Sequence, residues 1–573
     1  MYSNMFLNVV NDTLAAAEQF QWSFVIVLVI GGMMLLANVL RRKIKPLRRL
    51  LMPTAVIAGF VILLVKELVF AFTPVPELIV GTGTGIRNIY DIYGAIIGTE
   101  MYSYAPTFRQ VFDNTLGAIV QHTLPIAFIA LILRDKQNFN QVQTKGEKKK
   151  DRVNAMKSGS ILASSYLVQV ILGLTITIVL GYTFMSGTVR PGLGVFAPIA
   201  YGQGAPQSFA MGGIWDTMFA ENYPGLYSNP NHFRNFAVSL AATGFFFSSI
   251  VGVILINRTA KKRGLLRNKN EWQKSGDLPP LVIEGADEIP LSESIDKFTM
   301  QVCIVMGVYA LTIGLIFALD VLLRLSGVEF LIGFIPTIWG FAFIIGMLVA
   351  WITKLVFKKL MAKGIMKRKY PNTFMMNRIA GVSFDFSIVS ALALISVVDL
   401  GWLWIPLVLI AFASGLGTLF WLKFIIPKIF KEHQDESLVA FYGMLTGTIS
   451  CGTIFLRELD PNLKTPVSQH MVSASAGAIL LAVPLLLLLP IAPNADHNAF
   501  MVLGISAAYL ALLTCYILSV HKKMYHAVKR RRAGAGAELV DENGVVNADG
   551  GSADNVEFND EPIVGDEELV EPE

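Results

Sequence analysis

Long apolar runs separated by short polar connections dominate the chain. Crossing the hydrocarbon core of a bilayer as helix takes roughly 20 apolar residues. Eleven runs approach or exceed that length: 22–40, 50–72, 115–134, 158–186, 233–256, 298–324, 329–358, 378–398, 401–424, 469–490 and 498–520. Basic residues are unevenly shared among the connections. They cluster at Arg41–Arg49, Lys145–Lys157, Arg258–Lys274, Lys358–Lys369 and Lys522–Arg532, whereas 73–114 holds only Arg87 and Arg109 and 187–232 only Arg190. Lysine and arginine concentrate on the cytoplasmic side of membranes. The alternation therefore predicts a multi-pass protein of the cytoplasmic membrane with its N-terminus outside and its C-terminus inside.

Two stretches are too broken by glycine and proline to be simple spans. They lie at 190–218, which contains RPGLGVFAPIAYGQGAPQSFAMGGIW, and at 437–461, SLVAFYGMLTGTISCGTIFLRELDP. Backbone freed by such breaks cannot face lipid, so at membrane depth it must be buried in protein or line an aqueous cavity. Both are expected to be re-entrant hairpins; two ordinary surface loops are the alternative. The order of elements is then five spans with a hairpin before the fifth, a cytoplasmic linker at 257–297, and the same arrangement again over 298–490. The first unit, 22–256, starts outside and the second inside, which makes them inverted repeats. The fold class expected is an all-α integral membrane protein of about eleven spans, two inverted five-helix repeats plus one extra helix at 498–520. At one constant offset Asn114 matches Asn377 and Leu131 matches Leu394, and that offset sets His122 opposite Asp385.

Composition agrees and narrows the classes. Hydrophobic residues make up 54% of 573, charged residues 16%, and mean hydropathy is +0.55, values for which lipid, not water, is the expected surrounding. The net charge of +5 sits in the loop clusters, so no nucleic-acid partner is expected. Cys303, Cys451 and Cys515 show no metal-ligand spacing. Residues 1–21 form an extracytoplasmic segment without the charged start and cleavage site of a secretory leader, so the first run is expected to stay in the membrane. Residues 521–573 are expected to be a basic, then acidic, disordered cytoplasmic tail. No Walker motif, HExxH or GxSxG occurs, and no enzymatic activity is expected.

Candidate chemistry concentrates in the hairpins and in two charged runs. Sodium prefers several oxygen ligands, and Thr446, Thr448, Ser450 and Thr453 supply hydroxyls in the second hairpin. Gln203, Gln207 and Ser208 of the first could hydrogen-bond a small-molecule substrate, and Arg457 offers a bidentate fork for a carboxylate. Such hydroxyls also mediate close helix packing, and Glu458 and Asp460 could neutralise Arg457. A charge near the bilayer centre costs at least roughly 2.5 to 3.5 kcal/mol. Asp385 is thus a candidate sodium ligand or proton carrier and His122 a candidate proton relay; a satisfied structural pair is the bland reading. Lys66, Glu67, Asp320, Arg324 and Lys423 lie near span ends, where long side chains reach the interface.

The segment NVLRRKIKPLRRLLMPTAVIAGF from Asn38, the run NRIAGVSFDFSIVSALALISVVDL from Asn377 and the two Gly-rich hairpins together resemble the sodium/glutamate symporter (glutamate:sodium symporter, ESS) family over roughly residues 20–490. The resemblance implies a homodimer embedded in membrane lipid, with a sodium and substrate site between the hairpins. It implies symport of glutamate or a related small organic anion, sodium as the coupling ion and no organic cofactor. Both hairpins here lack the histidine of the family's motifs. A proton-coupled or other-solute transporter of the same architecture, and a membrane channel, are the alternative readings.

Overall fold

The computed structural model describes residues 2–78, 83–90, 96–104, 106–134, 145–222, 231–262, 291–366, 371–430, 432–461, 465–488, 491–492 and 496–537. The chain divides into two compact units, Met1–Ile517 and Leu518–Glu573. In the second, the described residues are the helical stretch ending at Ala537.

Helix α1 (Tyr2–Lys43) carries the first apolar run and extends it back through the residues expected to be an external segment. After the short α2 (Lys45–Arg49), α3 (Thr54–Phe72) follows. The connection 73–114 contains the one departure from helix among the described residues, an antiparallel pair of strands, β1 (Gly83–Tyr90) and β2 (Ile96–Tyr104), with Gly83 opposite Tyr104. Helix α4 (Phe108–Leu133) starts seven residues before the expected apolar run because Thr107 and Gln110 cap each other reciprocally, satisfying two backbone donors that a helix start leaves open. Then come α5 (Lys145–Tyr182), the first broken segment with α6 (Phe196–Gly202) and α7 (Ala205–Asn222), and α8 (His232–Lys262). Most of the expected linker, 263–290, lies outside the described residues.

The second half opens with α9 (Leu291–Leu325). The run 329–358, expected as one span, is instead three pieces, α10 (Glu329–Ile332), α11 (Ile335–Gly340) and α12 (Ala342–Ala362). Pro336 lacks the N–H that would continue a helix through it. Next are α13 (Thr373–Ala393), α14 (Trp404–Ile429), the second broken segment with α15 (Gln434–Thr446) and α16 (Ile449–Leu459), then α17 (Val467–Leu488) and α18 (Asn498–Ala537). Helix α18 runs on through 521–537, where a disordered basic tail was expected; extending a formed helix by a turn costs far less than starting one. Residues 538–573 lie outside the described set.

Among the described residues, eight helices are long and apolar enough to cross a membrane, in α1, α3, α4, α5, α8, α9, α14 and α18. Helices α12, α13 and α17, of 21, 21 and 22 residues, occupy three further expected spans. Among the described residues the protein is all-α apart from the strand pair, with the long apolar helices of a membrane protein. Helices α3, α4, α12 and α13 pack on one another, as do α5, α8 and α14 with the broken segments and α17. Only 22% of the apolar window of α9 is buried, against 72% for α5, so α9 faces outward and α5 is interior. The largest fully buried side chains include Trp215, Tyr201, Phe196 and Tyr442, all in the broken segments. Those segments are thus inside protein, the condition that irregular backbone at membrane depth requires.

Two lysines fix the ends of crossing helices. Lys66 Nζ, on α3, donates to the carbonyl of Ile395 just beyond α13 at 2.5 Å. Lys354 Nζ, on α12, donates to the carbonyls of Ile132 at 3.2 Å and of Arg134 at the end of α4. Each cation satisfies carbonyls that a helix C-terminus leaves without an intrahelical donor.

Candidate functional site at the two helix breaks

The first broken segment enters by a tight 3-10 turn, Pro191–Val195, and continues as α6 to Gly202. The amides of Gln203 and Gly204 both donate to Ile199 O at 3.0 Å, and Gly204 adopts φ +98°, a conformation that a residue without Cβ reaches at no steric cost. The chain then starts α7, with Gly204 O accepting from Ser208 N at 3.1 Å and from Ser208 Oγ at 2.9 Å. In the second segment α15 ends at Thr446, Gly447 leaves helical geometry, and Thr448 caps α16 by accepting from Cys451 N at 3.4 Å.

The two breaks face each other. A Cβ built on Gly204 would lie 3.5 Å from Thr448 Cγ2 and 3.6 Å from Gly447 O. Each break contributes one helix C-terminus, rich in open carbonyls, and one helix N-terminus, rich in open N–H groups. Oppositely polarised ends from two places in the chain therefore meet in one small volume, a setting that can hold a cation and an anion side by side.

Buried polar side chains from three helices hold the breaks in place. Tyr201 OH donates to Ala411 O at 3.0 Å and lies 3.2 Å from Thr243 Oγ1. Tyr442 OH donates to Gly415 O at 3.3 Å. Both tyrosines thus fasten to α14, one turn apart, and each is followed directly by glycine, Gly202 and Gly443. Gln169 Nε2 donates to Thr418 Oγ1 at 2.8 Å and Leu445 O at 3.0 Å, joining α5, α14 and the end of α15. Its Oε1 is buried without a hydrogen bond, as is Ser414 Oγ on α14. At Gly244 of α8 a Cβ would come within 2.7 Å of Thr446 O, so only glycine lets α8 pass that carbonyl.

The residues singled out from the sequence divide into those near the breaks and those away from them. Gln203 and Gly204 form the first break, and Gln207 and Ser208 are buried in the first turn of α7. Gln203 also borders a cavity of about 30 Å³ with Tyr166. Thr446 is buried, donating to Tyr442 O at 2.7 Å, and Thr448 stands at the second break. Thr453 donates to Ile449 O at 2.9 Å and Ser450 is exposed, so the four hydroxyls do not converge as a set. Arg457 is exposed near the far end of α16. Its neighbour Asp460 accepts instead from Thr465 N and Oγ1 at 2.8 and 2.7 Å.

His122 and Asp385 are not partners. His122 Nδ1 lies 2.6 Å from Tyr309 OH on α9. Asp385 is half-buried on α13 near the exposed Gly381 and Val382, and no described side chain bonds to it. The two do flank the place where α4 and α13 cross, with Thr123 Oγ1 and Ser387 Oγ 2.5 Å apart. Gln169 and Gly244, and Ser248 of α8, which donates to Gly443 O at 3.4 Å, are not among the residues that the sequence singles out. Gln169 carried a signal, since it is the one amide within an otherwise apolar and hydroxylic run.

A cavity of about 400 Å³ lies along the middle of α7, from Phe209 to Thr217, bordered also by α4, α9, α11 and α12. Arg234, at the start of α8, faces it with Arg324 and Asp320. Asp216 is buried behind Arg234, accepting from Phe233 N at 2.8 Å and Arg234 N at 3.2 Å, with Arg234 Nε 3.6 Å away. A carboxylate so placed caps α8.

No family model, curated protein or solved structure matches the chain.

Proposed function

We propose that the protein is a secondary active transporter that carries glutamate or a related small organic anion across the cytoplasmic membrane in symport with sodium. The observation that carries this reading is the meeting of two helix breaks, Gly204 against Gly447 and Thr448. Broken helices paired inside a membrane domain are the arrangement by which transporters place helix N-termini at anionic groups and open carbonyls at a coupling cation. The oxygen donors near the second break, Thr446 and Thr448 with the carbonyls of Leu445 and Gly447, are of the hard type that sodium takes. Gln203, Gln207 and Ser208 remain the substrate-side candidates.

An eleven-span chain with two inverted repeats is part of the proposal, and the lysine bonds support it. The spacing that aligns Asn114 with Asn377 also aligns Ile132 with Ile395. These are the carbonyls taken by Lys354 and Lys66, which occupy the same position of the second apolar helix in each half. A reciprocal pair of bonds of this kind is what a twofold relation between halves produces. The orientation with the N-terminus outside follows the basic loops, and the dimer and the sodium/glutamate symporter affiliation rest on the resemblance.

Uptake into proteoliposomes tests the reading. Labelled glutamate is expected to accumulate above equilibrium when sodium is imposed outside, with sodium entering alongside it. Accumulation driven by a proton gradient alone selects the proton-coupled alternative, which the unpartnered Asp385 favours. Dissipation of every gradient without accumulation identifies a channel and overturns transport.

A further inference from the structure

The 400 Å³ cavity beside α7 has a chemistry of its own. Its polar lining is Gln121, Thr217, Arg234, Asp320, Arg324 and Trp339, and the remainder is apolar, including Phe209 and Phe343. The carboxylates at and behind this wall are already engaged. Asp320 Oδ1 accepts from Arg324 Nε at 2.6 Å and Oδ2 from Trp339 Nε1 at 3.0 Å, while both oxygens of Asp216 accept backbone amides.

The guanidinium groups, in contrast, have donors to spare. Among the described residues Arg324 bonds only to Asp320, through Nε, which leaves the two-nitrogen edge of its fork open. Arg234 lies with Cζ 5.0 Å from the centre of the Phe209 ring, donates from Nη1 to Asn231 Oδ1 at 3.3 Å and holds its buried Nε in an ion pair with Asp216 Oδ2 at 3.6 Å. Guanidinium carries five N–H donors and no acceptor. The unmet capacity of the cavity is thus for donation to an anion, and the geometry of the open edge is that of a bidentate carboxylate contact. Asp320 and the buried Asp216 formally balance the two guanidiniums, so what selects a carboxylate is the open two-nitrogen edge of Arg324 and not a net charge.

We propose that this cavity binds a small monocarboxylate with an apolar body, its carboxylate on the open edge of Arg324 beside Arg234 and its body against Phe209 and Phe343. The binding claim stands on the cavity alone; its role as a capture point on the route of an organic anion rests on the transporter reading. The cavity borders α7, whose first residue follows the Gly204 break, so one rigid helix arm links the two places.

Benzoate tests the proposal, with benzamide as neutral isostere and benzylamine as cation, measured by calorimetric titration and thermal unfolding of the full chain in zwitterionic nanodiscs. Benzoate is expected to bind and raise the unfolding temperature, and the two controls are not. Arg324→Gln is expected to weaken benzoate binding at least about tenfold, the loss of a charge-assisted bidentate contact. Arg324→Lys, which keeps the charge beside Asp320, is expected to lose part of it, and Gly204→Ala none. Equal stabilisation by benzamide, or unchanged benzoate affinity in both Arg324→Lys and Arg234→Gln, overturns the proposal. So does loss of the benzoate response in phosphatidylglycerol nanodiscs, which assigns the cavity to a lipid headgroup. Benzoate binding without any gradient-driven uptake leaves this site standing and removes the transporter reading; uptake without benzoate binding does the reverse.

Discussion

Lys66 of α3 donates to the carbonyl of Ile395 at 2.5 Å, and its counterpart Lys354 of α12 does the same for Ile132. Each ties the second apolar helix of one half to the C-terminal end of a helix from the other half. Helix ends of this type carry partial negative charge and open carbonyls, and inside a membrane no water is at hand to take the place of the cation.

Lys66→Met and Lys354→Met, which keep most of the side-chain volume, are each expected to destabilise the protein by about 1–3 kcal/mol, the cost of leaving a buried acceptor unmet. Lys66→Met is the costlier, because Lys66 is buried and also pairs with Glu67 at 3.4 Å. Thermal unfolding in detergent of both variants measures the difference, and a neutral effect of either would break the equivalence.

Gly204→Ala places a Cβ on a residue at φ +98°, at a backbone cost of about 1–2 kcal/mol. Gly187→Ala is the control, since Gly187 has φ +81° with no atom within 4 Å of the added carbon. Both variants are expected to lose similar stability, whereas only Gly204→Ala is expected to lose glutamate uptake. Equal uptake in the two variants separates the breaks from the transport site.

Tyr201→Phe and Tyr442→Phe each remove one bond to α14, at Ala411 O and Gly415 O. Each is expected to cost about 0.5–1.5 kcal/mol and to slow uptake. The acceptors are one helical turn apart on one helix, so the double variant is expected to deviate from additivity. A double-mutant cycle on unfolding free energy reads that coupling.

Asp385 has no bonded partner among the described residues. Asp385→Asn therefore breaks no ion pair, and unfolding temperature is expected to stay level or rise. Sodium-driven uptake is expected to disappear in this folded variant. Sodium-driven uptake at the original rate removes Asp385 from ion coupling and leaves the oxygens at the breaks as the coupling groups.

Much of the plan could be read along the chain because its causes are local. Roughly 20 apolar residues define a span wherever they occur, and a run of Gly and Pro breaks a helix through its own backbone preferences. Hence α3, α8 and α14 fall near their expected bounds, and both broken segments lie where the composition changes. The Thr107–Gln110 cap is equally local, and it starts α4 ahead of the apolar run. The three pieces at 329–362 show the limit of that count, since an apolar run does not state whether one helix or several carries it.

The site depended on what no local rule contains. Thr446 and Thr453 lie seven positions apart in one apolar stretch, yet only the first ends at the break, because α15 stops at Gly447 and α16 turns away. Asp385 and His122 hold matching positions but bond differently, one with no partner and one with Tyr309, since α13 and α4 present them to different neighbours. Gln169 was an isolated amide until Leu445 and Thr418 were brought to it from elsewhere in the chain. Many spans, two breaks and alternating basic loops are legible in the residues alone, because each is set by the transfer of a short segment from water to lipid. That Gly204 meets Gly447 and Thr448, and that Arg234 and Arg324 share one cavity, is legible only in the folded chain, because those meetings follow from how whole helices cross and pack.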